Sequence, residues 1–279
     1  MAHPFFDSAR PLVFAHRGGG GLAPENTLAA FDQAAALGVD GLELDVRLSR
    51  DGVVVVHHDV TLERTTDARG PVDTLTADQL RRVDAGYHFG APGSWPFRGC
   101  GIGVPTLASV LERYRGLRVI IELKLNSAAL ARAAVDVVRV ARADDRVCLG
   151  SFGLRALRAV RTIAPSLATS AAREEVRWAL YRSWCRWPVS RVTYGGYQVP
   201  ERSGSTRVIS PRFVADAHRA RLAVQVWTVD APDVARRLLA WGVDALITDR
   251  PDQIGPVVQR GGPSLTEPGT GFSPSLTAG

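Results

Sequence analysis

Three short stretches carry side chains that could do chemistry at a meaningful spacing: "AHRGGGG" (15–21), "GLELDV" (41–46) and "VIIELKLN" (119–126). In an extended strand residues i and i+2 share a face, so Glu43 and Asp45 point the same way. Two carboxylates inside an apolar strand repel each other unless a cation lies between them. A salt bridge to an arginine is the plain alternative. Two acids on one face need more than one partner, however, and an all-oxygen set suits a hard cation such as Mg²⁺ or Ca²⁺. Glu122 and Lys124 repeat the device, with Ile121, Leu123 and Leu125 facing the other way. They are either an ion pair or a third metal ligand beside a cation for an anionic substrate.

The acids of "GLELDV" lead into "RLSRDGVVVVHHD", where Asp51-Gly52 between β-rich runs signals a hairpin. A two-residue loop pairs Arg50 with Val53 and sets Asp45 opposite His58, leaving His57 on the other face. His16-Arg17 ends the first apolar run, and Arg offers a planar fork for phosphate or carboxylate. Gly18 to Gly21 match neither dinucleotide-binding nor P-loop patterns and read as slack beside the site, with Asn26 or Thr27 as a helix N-cap. Two histidines, a divalent cation and two basic groups together form a site for a phosphate diester: one histidine takes a proton from the nucleophile, the other protonates the leaving alkoxide. No serine or cysteine nucleophile is evident. Cys100, Cys148 and Cys185 form no CxxC pair and read as structural thiols in a reducing compartment.

These residues need a scaffold that brings distant strand ends together. Apolar runs at 12–15, 41–46, 118–125, 146–151, 222–229 and 244–249 alternate with segments of helical periodicity, which implies a parallel sheet covered by helices. "ALGVDGLELD" and "AWGVDALITD" each close a helix on a C-cap glycine, Gly38 and Gly242, before a strand. The chain of 279 residues is the size of one (β/α)₈ barrel, typically about 250 residues. We therefore expect an α/β fold, a barrel domain over residues 1–258, in which the C-terminal strand ends converge on one mouth. Residues 59–105, after the third strand, are too long for a plain loop and read as an insertion with one short helix near Thr76. Residues 259–279 lack periodicity and read as a disordered tail.

Composition narrows the partners. The net charge of +6 comes from single arginines spread over helical segments, with no basic run of the kind that marks a nucleic-acid tail. The N-terminus lacks a signal-peptide pattern and no apolar run is long enough for a membrane span, so we expect no nucleic acid, no stable membrane insertion and a cytoplasmic location.

"AHRG…PENTLAAF…GVDGLELDVRLSRDGVVVVHHD…RTTD", "PTLASVL", "IELK" and "VQVWTVD…GVDALITDRP" resemble the glycerophosphodiester phosphodiesterase family in nearly its full order, over about residues 11–252. The resemblance implies a TIM barrel with a small capping insertion at 59–105, and hydrolysis of a small-molecule glycerophosphodiester to an alcohol and sn-glycerol 3-phosphate. It implies His16 and His58 as the acid/base pair, and Glu43, Asp45 and Glu122 as ligands of one divalent cation, Mg²⁺ or Ca²⁺. Arg17 and Lys124 match phosphate contacts and Trp227 an aromatic at the glycerol end. A lysophospholipase D-like or cyclic-phosphate-forming enzyme would use the same histidines. Residues 194–211 match no motif and are expected to line the leaving-group side of the mouth.

Overall fold

The computed structural model describes residues 3–187 and 192–260. Strands β1 (Leu12–His16), β2 (Gly41–Leu48), β4 (Arg118–Leu123), β5 (Val147–Gly150), β6 (Ala168–Thr169), β7 (Gly196–Pro200), β10 (Ala223–Trp227) and β11 (Ala245–Thr248) pair in parallel in the order β6-β5-β4-β2-β1-β11-β10-β7. A parallel bridge from Ser170 to Gly196 links the two ends of this path, and Ala171 N–H donates to the Gly196 carbonyl at 2.9 Å. The result is a nearly closed eight-stranded parallel barrel. Helices α1 (Leu28–Ala36), α3 (Leu107–Arg113), α4 (Ala128–Val140), α5 (Leu154–Ile163), α6 (Arg173–Cys185), α7 (Pro211–Arg219), α8 (Pro232–Ala240) and α9 (Pro251–Arg260) follow or precede the strands. No described helix is long and apolar enough to cross a membrane.

The alternation of side chains along each strand builds two cores. One set packs outward, among them Val13, Leu44, Ile121, Leu123 and Leu149 with apolar residues of the helices. The other fills the barrel floor with Phe14, Ile120, Cys148 and Ile247, plugged by Phe5 of the N-terminal 3₁₀ turn. Two residues further along the same strands, the inward positions change from apolar to polar: Phe14 gives way to His16, Ile120 to Glu122. The register sets His16 beside Glu43 and Asp45 beside Glu122, so the acids form a layer above the apolar floor. Leu125 departs from the expected pattern: β4 ends at Leu123, and Leu125 is exposed on the following loop.

The hairpin register also differs from expectation. β2 pairs with β3 (Val54–Val56) as Val46 with Val56 and Leu48 with Val54. The turn therefore spans three residues, Arg50 to Gly52, and places His57, not His58, across from Asp45. Gly52 takes φ +77°, the left-handed third position that closes such a turn. His58 faces the mouth all the same, because the chain leaves the strand after Val56. Burial pushes the His57 ring below its ordinary range, and its Nε2 bonds the Thr61 carbonyl at 3.1 Å.

Between β3 and α3 the chain makes a short helix α2 (Ala77–Leu80) with a Thr76–Gln79 capping box. Leu62, Val72, Leu80 and Val104 of this segment bury themselves against Val55. Residues 194–211 contain β7 and a small hairpin of β8 (Arg202–Ser203) and β9 (Thr206–Arg207). Helix α9 runs to Arg260, and the rest of the expected tail, 261–279, lies outside the described residues.

Candidate active site

The mouth of the barrel holds a cavity of about 600 Å³ lined by His16, Arg17, Glu43, His58, Glu122 and Lys124 at one end. The strands deliver these groups, and the loops behind them hold each one in place. Each histidine is backed by a carboxylate at Nδ1: Asp249 Oδ1 at 2.8 Å from His16 and Asp59 Oδ1 at 2.6 Å from His58. Both partners follow directly from the loop geometry, since Asp249 comes immediately after β11, which lies beside β1, and Asp59 follows His58 in the chain.

The two rings differ in charge. Burial opposes the imidazolium at His16, but Glu43, 3.9 Å away, and Asp249 outweigh it and raise the ring to about 9. Burial also opposes the charge on His58, and there it prevails, with Arg17 and Lys124 adding to it, so this ring sits below its ordinary value. A neutral His58 donates Nδ1–H to Asp59 and accepts from Lys124 Nζ at 3.0 Å through Nε2.

Oxygens of Glu43, Asp45 and Glu122 all lie within 4.8 Å of one another. Glu43 and Asp45 are buried, and Glu43 is pushed up to about 8, first by burial and then by the neighbouring Asp45 charge. Burial raises Glu122 as well, although Lys124 opposes it. This clustering of carboxylates in a dry position is unfavourable alone and fits a hard cation, so the triad could hold a metal ion. Asn26, at φ +59°, is not the helix cap; Thr27 fills that role and accepts from Ala30 N–H. Asn26 Nδ2 instead donates to Asp45 Oδ2 at 2.9 Å, and its Oδ1 accepts from Asp45 N–H.

Arg17 also sits at positive φ, 52°, and its N–H donates to Glu43 Oε2 at 3.0 Å. Its guanidinium bonds Glu25 and lies 3.3 Å from Asp45 Oδ2, where Nε forms an ion pair without a hydrogen bond. Among the described residues that Nε is the one buried side-chain donor lacking a hydrogen-bond partner, and an anionic oxygen would satisfy it. Glu25 in turn accepts two bonds from Arg64, whose Nε donates to Asp59. Burial opposes the Glu25 charge, yet these two arginines hold it at about 2. A continuous chain thus runs from Arg17 through Glu25, Arg64 and Asp59 to His58.

The glycine run is packed, not slack. Gly18, at φ +86°, lies against α1 so closely that a Cβ would stand 2.8 Å from Ala30 Cβ, and one on Gly21 would stand 2.9 Å from the Asp249 carbonyl. Gly21 N–H donates to that carbonyl at 3.1 Å, which seats the loop against the residue that supports His16.

Trp227 lines the far side of the cavity, edge-on to Phe152 at 6.1 Å between centroids. Gln198, Pro200, Ser203 and Val208 place the unassigned stretch 194–211 on the wall of the same cavity. Asp249, Glu25, Asp59 and Arg64 join the site unexpectedly, though the "PENT", "HHD", "RTTD" and "ITDRP" stretches contain them. So does Asp230, which accepts from Asp249 N–H at 2.8 Å and from Thr248 Oγ1. Arg173 and Arg177 of α6, which reach the rim, carry no sequence signal that separates them from other helical arginines.

Known proteins share both the sequence and the barrel. The Glycerophosphoryl diester phosphodiesterase family matches residues 16–253. A glycerophosphodiester phosphodiesterase of Caldanaerobacter subterraneus subsp. tengcongensis is 31% identical over 258 residues, covering 91% of this chain and all of that one. A crystal structure of the glycerophosphoryl diester phosphodiesterase domain of a Mycobacterium tuberculosis protein has the same fold, with a TM-score of 0.78 at 24% identity, over 90% of this chain and 99% of that one. An Oleispira antarctica phosphodiesterase in complex with its product sn-glycerol-3-phosphate superimposes with a TM-score of 0.74 at 28% identity, over 90% of this chain and 97% of that one. With the match spanning every element that carries the site, the chain belongs to the glycerophosphoryl diester phosphodiesterase family and is an enzyme of that class.

Proposed function

We propose that the protein hydrolyses glycerophosphodiesters to an alcohol and sn-glycerol 3-phosphate, with His16 and His58 as the acid/base pair. The observation that carries this reading is the pair of carboxylate-backed imidazoles on the wall of a single cavity beside an acidic triad. Neutral His58 accepts at Nε2 a proton from the water that attacks phosphorus once Lys124 turns to the phosphate, and the P–O bond to the other alcohol breaks. Protonated His16 delivers a proton to the leaving alkoxide. Asp249 and Asp59 hold the rings in orientation and stabilise the imidazolium that each forms in turn.

Arg17 and Lys124 bind the phosphoryl oxygens, Arg17 through the Nε that lacks a hydrogen bond in the free protein. Glu43, Asp45 and Glu122 would hold one divalent cation, Mg²⁺ or Ca²⁺, which when bound supplies Lewis-acid stabilisation of phosphoryl charge. Trp227 and Phe152 give the glycerol carbons an apolar wall. In the same reading residues 1–258 form the catalytic unit, and residues 59–105 cap it, with Arg64 tying the segment to the mouth.

The test is release of sn-glycerol 3-phosphate from a purified-protein assay, followed by phosphorus NMR so that a cyclic phosphate is distinguished from the monoester. Chelation by EDTA and the substitution His58→Ala should each abolish release. Undiminished turnover by His58→Ala would overturn the assignment.

A further inference from the structure

The cavity has a second basic position that the chemistry above does not use. Arg173 and Arg177, on the first two turns of α6, line the cavity beyond Phe152, and both are exposed at its rim. The Arg173 guanidinium stacks on the Phe152 ring at 4.9 Å from the centroid, and Lys124 Nζ approaches the same ring at 5.7 Å. Phe152 therefore contacts both the cation assigned to the scissile phosphate and a further cation at the rim. Arg173 is anchored there by its own N–H, which donates to the Phe152 carbonyl.

The neighbouring arginines are committed elsewhere. Arg17 and Arg64 share Glu25, and Arg161 is held by Glu175. Arg173 and Arg177 form no ion pair among the described residues. The carboxylates that line this cavity are Glu43 and Glu122, both at the metal end. Among the described residues that line the cavity, none on the α6 side is acidic, the kind of group that would receive a quaternary ammonium. Ser203, on the small hairpin, adds a hydroxyl to the lining of the same cavity.

A glycerophosphodiester carries one negative charge at the scissile phosphate, and its glycerol half carries none. Any second charge in the substrate must then lie on the other alcohol. We propose that Arg173 and Arg177 form a second anion subsite that selects glycerophosphodiesters whose leaving alcohol bears its own phosphate, over those whose leaving alcohol is cationic. This rests on the diesterase reading above. A guanidinium pair at the rim attracts a second phosphate through bidentate hydrogen bonds and repels an ammonium, so it discriminates in both directions.

The experiment compares kcat/KM for three soluble diesters that differ in the charge of the leaving alcohol: bis(glycerophospho)glycerol, whose leaving group retains a phosphate and is anionic; glycerophosphoglycerol, whose leaving glycerol is neutral; and glycerophosphocholine, whose leaving choline is cationic. The expected order is anionic, then neutral, then cationic, with the difference carried mainly by KM. In Arg173→Gln and in Arg177→Gln the ratio of anionic to cationic kcat/KM should fall about tenfold each, the size of one charge-assisted hydrogen bond. Arg177→Lys, which keeps the charge, should recover part of that ratio. Preference for glycerophosphocholine, or a ratio unchanged in both glutamine variants, would overturn the subsite. Hydrolysis of none of the three diesters by the wild-type protein would instead overturn the diesterase reading, and the subsite with it.

Discussion

His16 Nδ1 lies 2.8 Å from Asp249 Oδ1, although 233 residues separate them. The contact closes the barrel functionally as well as structurally, because β1 and β11 are neighbours only once the last strand returns to the first. Asp249 is fixed in turn by Asp230, from the loop after β10. The Asp249 carboxylate's negative charge favours the protonated His16 ring.

Asp249→Asn should therefore lower kcat by about 10- to 100-fold, a positioning loss smaller than the loss of the ring itself. Without the carboxylate the His16 pKa falls, so the basic limb of the pH–rate profile should move to lower pH. The folded ring titrates near 9 against an ordinary 6.5, so its stabilising contribution is complete below pH 6.5 and is lost as pH rises through 9. Asp249→Asn should reduce that pH-dependent part of the stability, leaving the share that Glu43 supplies, read by urea unfolding across pH 6 to 9.5.

Substituting either ring should cost more than substituting its partner. His16→Gln and His58→Gln should each reduce kcat by about 10²- to 10⁴-fold, and His16→Gln should also lose the pH-dependent stability that its raised ring supplies. Because the two act in one step, the double variant should be scarcely worse than the weaker single variant. Single-turnover assays on a common diester decide this.

The acidic triad should make the metal-free protein lose stability as pH rises toward neutrality and just beyond. Glu43 titrates near 8 in the fold against 4.5 outside it, so the folded state holds an extra proton and stability falls as pH rises between those values. Glu43→Gln should flatten that decline while weakening divalent-cation binding, measured by calorimetry. Adding Mg²⁺ or Ca²⁺ to the wild-type protein should raise its melting temperature, by about 2.7 kcal/mol of stability at a hundredfold excess over Kd. The same addition should leave Glu43→Gln nearly unchanged.

The glycine loop offers a purely structural prediction. Gly18→Ala places a methyl 2.8 Å from Ala30 Cβ on a backbone at φ +86°, so it meets both crowding and a disfavoured dihedral. These together should cost about 2–4 kcal/mol, a drop in melting temperature on the order of 4–16 °C. Gly38→Ala has open space around it and should cost less, about 1–2 kcal/mol from the dihedral alone. Equal effects of the two substitutions would show that Gly18 is not packed as described.

The sequence by itself determined the strands of the barrel that are long enough to show a period. It also determined which side of each strand carries chemistry. Glu43 and Asp45 share a face because strand geometry repeats every two residues, and the same rule puts Glu122 in their layer. Neither inference needs knowledge of what lies across the barrel. Other features depend on closure. β6 is only two residues long and β7 lies in a stretch with no assigned motif, so neither has a local signal, and both are strands because their neighbours offer open edges. The hairpin register turned on one residue, since Gly52 could close a two- or a three-residue turn, and only pairing with β2 chose between them. The partners of the reactive groups were out of reach for the same reason: Asp249 for His16, Arg64 for Glu25, and Arg173 for the cavity rim. A side chain's type and period are local properties of the chain, whereas its electrostatic surroundings are set by segments tens to hundreds of residues away, and those meet only in the folded barrel.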